Sequence, residues 1–377
     1  MTLFANAQVL TEHGFQPANV RVHEDRIAEI ESKPPASGEE LIDLHGHLLL
    51  PGYVDVQVNG GGGVLFGDAP SVEGLRKLGE AHAQFGTTSF LPTIISSDLN
   101  VVRAAIAAVD SAIAGHMPGV VGIHIEGPFL SPERKGVHDA SKFRALDAEA
   151  FALLTSLKRG KTLVTLAPEE TTPQTIRRLT QAGVIVSAGH TDATYAETKD
   201  AIDHGLTGFT HLFNAMSQLT PREAGAVGAA LDSDAWCGLI ADGRHVALPV
   251  MRIALRCKGS ERLMLVTDAM PSVGSPLKTF RLQGQMIRVE DGVCVAPDGT
   301  LAGSDLDMAS AVRNAMQMMQ VQASAAARMA SENPARFLGL QDRIGRIAPG
   351  CRADLIEADE HLNILRVWSG GELIVSQ

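Results

Sequence analysis

The middle of the chain is a regular alternation, and it restricts the fold more than any other feature. Short apolar runs recur at GYVDVQV (from Gly52), TTSFLPTI (from Thr87), VVGIHIE (from Val120), TLVTLAP (from Thr162), VIVSAGH (from Val184), GFTHLFN (from Gly208), WCGLIAD (from Trp236) and LMLVTDA (from Leu263). Stretches with helical spacing separate them, such as SVEGLRKLGEAHAQFG (Ser71 to Gly86) and TPQTIRRLTQAG (Thr172 to Gly183). A short continuous apolar run between helices reads as a strand buried on both faces, which belongs to a parallel sheet with helical crossovers. Eight β/α units over about 220 residues match the count and length of a closed (β/α)8 TIM barrel. A doubly wound open sheet more commonly shows fewer strands and a G-x-G-x-x-G after the first.

The two ends have another rhythm. LFANAQVL (Leu3 to Leu10), ANVRVHEDRIAEIE (Ala18 to Glu31) and ELIDLHGHLLLPG (Glu40 to Gly52) read as short strands broken by HG, ED and KPPASG. The tail repeats the style in RIGRIAPGCRADLIEAD and LNILRVWSGGELIV. Residues 1–51 and 343–377 are therefore expected to pair as one small β domain beside a barrel over 52–342. A hairpin insert is expected near 278–303, where FRLQGQMIRVEDGVCVAPDGTLAG carries DG turns, and two helical stretches follow, from about Asp305 to Gln320 and from Ala323 to Leu338.

Asp plus Glu number 43 against 32 Lys plus Arg, a net charge of −11, which argues against a general nucleic-acid binder. No apolar run approaches the roughly 18 residues of a membrane span. No basic residue precedes Arg21, so a signal peptide is not expected. Cys237, Cys257, Cys294 and Cys351 are far apart with no C-x-x-C pair, as in buried free thiols of a reducing compartment. A cytoplasmic location is expected.

In a barrel of this kind chemistry sits where strands end. Strand three ends in Glu126, strand five in His190, strand six in His211 and strand eight in Asp268. Strand one ends near Gln57 and Asn59, and strand seven in Asp242. Singly, such a histidine is more often a hydrogen-bonded structural residue, and Glu126 would serve as well in an ion pair. Together, Glu126, His190 and His211 form the His2Glu set of a catalytic zinc site with one position left for water. Asp268, brought near by barrel closure, suits a general base that then acts as general acid. Gly60 to Gly63 reads either as a close approach to phosphate or as a flexible turn, without the Lys and Ser/Thr of a P-loop.

HIEGPF (His124 to Phe129), SAGHTDAT (Ser187 to Thr194), THLFNAM (Thr210 to Met216), IADGRHV (Ile240 to Val246), VTDAM (Val266 to Met270), LAGSDLDM (Leu301 to Met308) and PGYVDVQVNG (Pro51 to Gly60) resemble the N-acetylglucosamine-6-phosphate deacetylase family of the amidohydrolase superfamily. The match runs in order along essentially the whole chain. It implies a β-sandwich made by both termini, Glu126, His190 and His211 as metal ligands, and Asp268 as the catalytic acid/base. It also implies that His138 polarises the acetamide carbonyl with the metal, that Asn214 and Ala215 contact the sugar phosphate, and that Met308 falls in the loop covering the sugar. Arg222 and His245 would grip the phosphate, one or both across a homodimer interface. Read from the residues alone, Arg222 serves equally as a surface partner of Glu223, His245 as a solvated loop histidine, and Asp242 as an orienting group.

Many amidohydrolases carry His-x-His where this chain has Gln57, Val58 and Asn59. One tightly held divalent ion is therefore expected, Zn2+ first, with Fe2+, Mn2+ or Co2+ also compatible with the ligand set. Gln57 could still touch the metal or its water. The same substitution argues against the hydantoinase branch, as does Lys161, which stands at the start of strand four and not at its end. The activity implied is hydrolysis of N-acetyl-D-glucosamine 6-phosphate to D-glucosamine 6-phosphate and acetate. The galactosamine epimer and a sugar-phosphate sensor without turnover are the alternatives.

Overall fold

The structure is a computed structural model and describes residues 1–377 except 32 and 34, so Pro34 of the KPPASG turn lies outside the described residues. Eight parallel strands form one sheet in sequence order: β1 (Tyr53–Val58), β2 (Thr87–Ile95), β3 (Gly122–Glu126), β4 (Lys161–Leu166), β5 (Ile185–Ala188), β6 (Gly208–Phe209), β7 (Trp236–Leu239) and β8 (Leu263–Leu265). A parallel bridge between Val58 and Ala269 closes the cylinder just past β8. All eight apolar runs supply barrel strands. β1, β2 and β3 are buried along their full length, because helices cover one face and the packed barrel interior the other.

The helices form where the sequence stops alternating. Val72–Ala83 is capped by Ser71, whose hydroxyl accepts from the Gly74 amide, and Pro173–Gln181 by Thr172, accepting from Thr175. Beyond β8, the segment with DG turns folds as four antiparallel strands, Thr279–Leu282, Gln285–Glu290, Val293–Val295 and Leu301–Ser304. The first helical stretch after it runs from Met308 to Asn314 and continues as a π turn, Ala315–Met319. The second divides into Ala323–Ala330 and Glu332–Phe337.

The strands of the two ends share one eight-stranded mixed sheet in which Leu48–Pro51 pairs with Leu355–Ala358. The long strand Thr2–Thr11 slips register between Phe4 and Ala7, with Asn6 at φ 57°. Its first half pairs with Glu40–Asp43 and its second with Leu48–Pro51. A bulge of this kind bends a strand so that its halves serve two layers, and Phe4, Val20, Leu49, Leu355 and Trp368 fill the space enclosed. Phe4 meets Trp368 edge-on, ring centroids 5.0 Å apart.

Glycine permits the close strand contact at the foot of β3. A Cβ on Gly122 would lie 2.0 Å from the carbonyl oxygen of Lys161 and 2.6 Å from its amide nitrogen. Gly122→Ala must push β4 away from β3, and the expected loss is about 1–3 kcal/mol, as for other overpacked sites. Urea unfolding will show it as a lowered midpoint with unchanged slope.

Candidate active site

The polar residues at the strand ends converge at one mouth of the barrel. Glu126 is the last residue of β3, while His190, His211 and Asp268 lie two or three residues beyond β5, β6 and β8. These three leave the sheet in the left-handed backbone region, at φ 50°, 34° and 52°. Each such non-glycine residue costs on the order of 1–3 kcal/mol, strain that concentrates where side chains must be aimed inward. The last strand of the four-stranded segment holds the turn after β8: the Ser304 amide donates to the Asp268 carbonyl, and the Met270 amide to that of Ser304.

Glu126 Oε1 lies 2.9 Å from His211 Nε2 and 3.2 Å from His190 Nε2, and the two nitrogens are 3.1 Å apart. Tetrahedral ligands bonded at about 2.0–2.1 Å stand roughly 3.3–3.4 Å from each other, so this triangle is close to the size of a metal-binding face. His190 Nδ1 donates to the Arg134 carbonyl at 2.9 Å, which leaves its Nε2 lone pair facing the triangle. His211 Nδ1 is buried without a hydrogen-bond partner among the described residues. Two imidazole nitrogens this close, against a carboxylate only 2% exposed, fit a shared divalent cation. Burial alone would raise the Glu126 carboxyl, but the hydrogen bonds and charges of His190 and His211 hold it well below the usual range. Burial alone would lower His211, and the hydrogen bond and charge of Glu126 raise it instead.

His138 completes the cluster, its ring centroid 4.3 Å from that of His190. A nitrogen of His138 lies close enough to Glu126 and His190 to be read as a third ligand. Its tautomer argues otherwise. The Ser96 amide donates to His138 Nδ1 at 3.3 Å, and the Ser96 hydroxyl lies 2.7 Å from the same atom. Nδ1 is thus the acceptor and Nε2 carries the proton, a donor and not a lone pair. Burial, the leading cause, pushes His138 well below its ordinary value and keeps it neutral.

Asp268 Oδ1 accepts from Asn59 Nδ2 at 2.7 Å and from Gln57 Nε2 at 3.1 Å. The same Gln57 nitrogen lies 3.1 Å from Glu126 Oε2, so one amide bridges the two carboxylates. The opposite amide orientation would turn its oxygen toward two anions. Burial, then the charge of Glu126, raises the Asp268 carboxyl to about 6. Beneath it the buried Asp55 accepts from the Thr267 hydroxyl at 2.5 Å, and Thr267 in turn accepts from the Ala269 amide.

These groups line a cavity of about 310 Å³ with Ile95, Asn214, Ala215, Ile240, His245, Met270, Thr300 and Leu301. His245 is held by Asp242, which accepts from its Nδ1 at 2.6 Å and from its amide, leaving Nε2 unbound. The structure does not bring every expected residue here. Arg222 is exposed, outside the cavity, and makes no ion pair with Glu223, whose carboxylate accepts from the Tyr195 and Gly225 amides. The family resemblance implies Met308 in a loop over the sugar, whereas in the structure it opens a helix, as the helical reading from about Asp305 expects, and is fully buried. The cause is Asp307, which caps that helix and turns the first side chain into the core. Thr300 and Leu301 flank the cavity instead. Gly60–Gly61 pairs with Val64–Leu65 in a tight turn, and a Cβ on Gly61 would meet the His82 ring at 2.8 Å, so the glycine run reads as a packing turn. Arg134 carries no sequence signal because it acts through its backbone carbonyl, and Ser96 carries none because its amide and hydroxyl meet His138 only once the chain is folded.

The description "Amidohydrolase family" matches residues 48–374. The chain is 45% identical over 329 residues to an N-acetylgalactosamine-6-phosphate deacetylase of Shewanella sp. (strain ANA-3), covering 86% of this chain and 83% of that one. The crystal structure of N-acetylglucosamine-6-phosphate deacetylase from Pasteurella multocida superposes with a TM-score of 0.96 at 35% identity, covering 100% of both chains. A mutant of the Mycobacterium smegmatis enzyme in complex with N-acetyl-D-glucosamine 6-phosphate gives 0.90 at 32% identity, covering 100% of this chain and 99% of that one. With the fold matched end to end and the model of the family spanning most of its length, the chain belongs to the amidohydrolase family, among its amino-sugar 6-phosphate deacetylases.

Proposed function

We propose that the protein hydrolyses the acetamide of N-acetyl-D-glucosamine 6-phosphate, releasing acetate and D-glucosamine 6-phosphate. The observation that carries the reading is the meeting of Glu126, His190 and His211 around one point, with Asp268 and His138 in the same cavity. Glu126, His190 and His211 would hold a single divalent ion, zinc by preference for two imidazoles and a carboxylate. Such an ion would supply Lewis acidity toward the carbonyl and lower the pKa of a water toward neutrality.

The rest falls to the chain's own groups. His138, fixed as the Nε2–H tautomer by Ser96, donates to the acetamide oxygen as it becomes an oxyanion. Asp268 takes a proton from the attacking water and returns it to the amine nitrogen as the C–N bond breaks. Gln57 and Asn59 aim its carboxylate and do not themselves bind the ion. His245 offers Nε2 to the phosphate because Asp242 holds Nδ1. Arg222 supplies the stronger grip from a second copy of the chain, since it lies outside its own cavity. The exposed Leu219, Leu248 and Ile253, near Arg222 and His245 in sequence, are candidates for the dimer contact. A second reading, the galactosamine epimer as substrate, is favoured by the Shewanella relative, and the ratio of kcat/KM for the two sugar phosphates decides between them.

Asp268→Asn is expected to retain one metal equivalent by elemental analysis while kcat falls by orders of magnitude. Full turnover in that variant overturns the assignment. Because Asp268 must be ionised to accept a proton and burial has raised it to about 6, kcat/KM should fall on the acid side with a midpoint no higher than about pH 6. Ser96→Ala removes the shorter of the two contacts at His138 Nδ1 and leaves only the 3.3 Å amide to hold the tautomer, so kcat should drop, by up to about 10-fold, with the metal still bound, in line with a weakened oxyanion donor. Arg222→Gln should raise KM. If the arginine acts across the interface, mixing Arg222→Gln with Asp268→Asn subunits restores one complete site per mixed dimer, and failure to recover activity rejects the shared phosphate grip.

A further inference from the structure

A second cavity, of about 320 Å³, lies at the opposite end of the barrel. Lys161, on its wall, pairs in register with Gly122 at the foot of β3, whereas Glu126 stands at the other end of that strand. Four residues of strand separate the two levels, about 13 Å. Thr88, Ser89, Val121 and Gly160 contribute from the strand beginnings, and Leu340, Arg343 and Ile344 from the connection leading to the terminal sheet.

Its charge is out of keeping with the rest of the molecule. Lys161, Arg343 and His116 all line it, and none makes a hydrogen bond or ion pair through its side chain among the described residues. Arg352 also reaches the cavity but is neutralised by Asp25 at 3.1 Å and Asp354 at 3.0 Å. Asp354, the only acid on the wall, is further occupied by the Gly370 amide. In a chain of net charge −11 this places the basic side chains Lys161 and Arg343, with His116 at the rim, around one concavity whose acid is already engaged. Residues at the lower end of a TIM barrel ordinarily serve stability. Here the half-buried Lys161 and the exposed Arg343 line one concave wall beside apolar side chains, which leaves both heads available to a ligand.

We propose that this cavity binds a small phosphorylated molecule, its phosphate held by Lys161 and Arg343 and its body laid against Ile113, Met117, Leu340 and Ile344. Lys161 and Arg343 together match the double charge of a phosphate monoester better than the single charge of a carboxylate. The cavity is larger than a bare phosphate needs, and its other wall is aliphatic. A ligand here would bridge the barrel strands and the segment entering the terminal sheet, so it would raise the melting temperature by mass action. The site is independent of the deacetylase reading, because it shares no residue with the catalytic cavity.

The test is calorimetric titration of the full-length, metal-loaded protein with inorganic phosphate and with phenyl phosphate, at low salt. Both should bind, phenyl phosphate more tightly, and both should raise the melting temperature. Lys161→Met with Arg343→Met should weaken this binding event by about tenfold or more, as expected on losing two charge-assisted contacts, while kcat/KM for the amino-sugar substrate stays unchanged. Arg343→Glu, at an exposed position, gives the same result without risk to folding. Isotherms of the variants that superpose on those of the unsubstituted protein overturn the proposal.

Discussion

Everything at the barrel mouth depends on the Glu126 carboxylate, taken out of water between two imidazoles. A carboxylate buried without compensation costs several kcal/mol, and neutral histidines with lone pairs turned toward it would add repulsion. Two arrangements relieve this: protons shared among the three groups, or a divalent cation. The hydrogen bond from His190 Nδ1 to a backbone carbonyl favours the second, because it already places that ring's proton on the side away from Glu126. The structure around the site holds that arrangement in place. His190, His211 and Asp268 occupy left-handed backbone, and the last strand of the segment after β8 secures the Asp268 turn through paired backbone hydrogen bonds.

A similar logic divides two kinds of acid within one cavity. Glu126 is held well below the usual carboxylate range by its histidines, while Asp268 is raised to about 6 by burial and by Glu126 itself. The two interact through Gln57, whose amide nitrogen lies 3.1 Å from an oxygen of each. Pairs of titratable groups pushed apart by their surroundings are suited to different roles, and this separation is what the proposed mechanism draws on. Where the sequence resemblance would allow metal-binding histidines, this chain has two amides that both donate to Asp268. The exchange removes two ligand positions and gains two donors to Asp268, consistent with chemistry run on one ion.

Much of this was legible in the amino-acid order because periodicity is a local property. Eight apolar runs become eight strands, and the strand-end rule picks out Glu126, His190, His211 and Asp268 even where β6 is only two residues long. What escaped depends on atoms far apart in sequence or on the backbone. Ser96 sets the His138 tautomer across 42 residues, partly through an amide every residue possesses. Met308 misleads because one aspartate before it decides whether a loop continues or a helix begins. The folding of the first strand across two layers turns on a register slip between Phe4 and Ala7 that no composition announces.

The barrel also separates stability from chemistry along its axis, and the residues follow that division unevenly. At the mouth, strained backbone and buried charge are tolerated because hydrogen bonds answer them: Asp242 for His245, Asn59 and Gln57 for Asp268, the Arg134 carbonyl for His190. At the foot, strands approach so closely that Gly122 leaves no room for a methyl group, and Arg352 is tied by two acids. Lys161 and Arg343 break the pattern. They stand at the foot on one concave wall, and no acid of the described residues engages either. Their heads line a concavity whose remaining wall is aliphatic, the combination of charge and apolar surface that suits a phosphorylated small molecule, and that is why the lower cavity reads as a binding site.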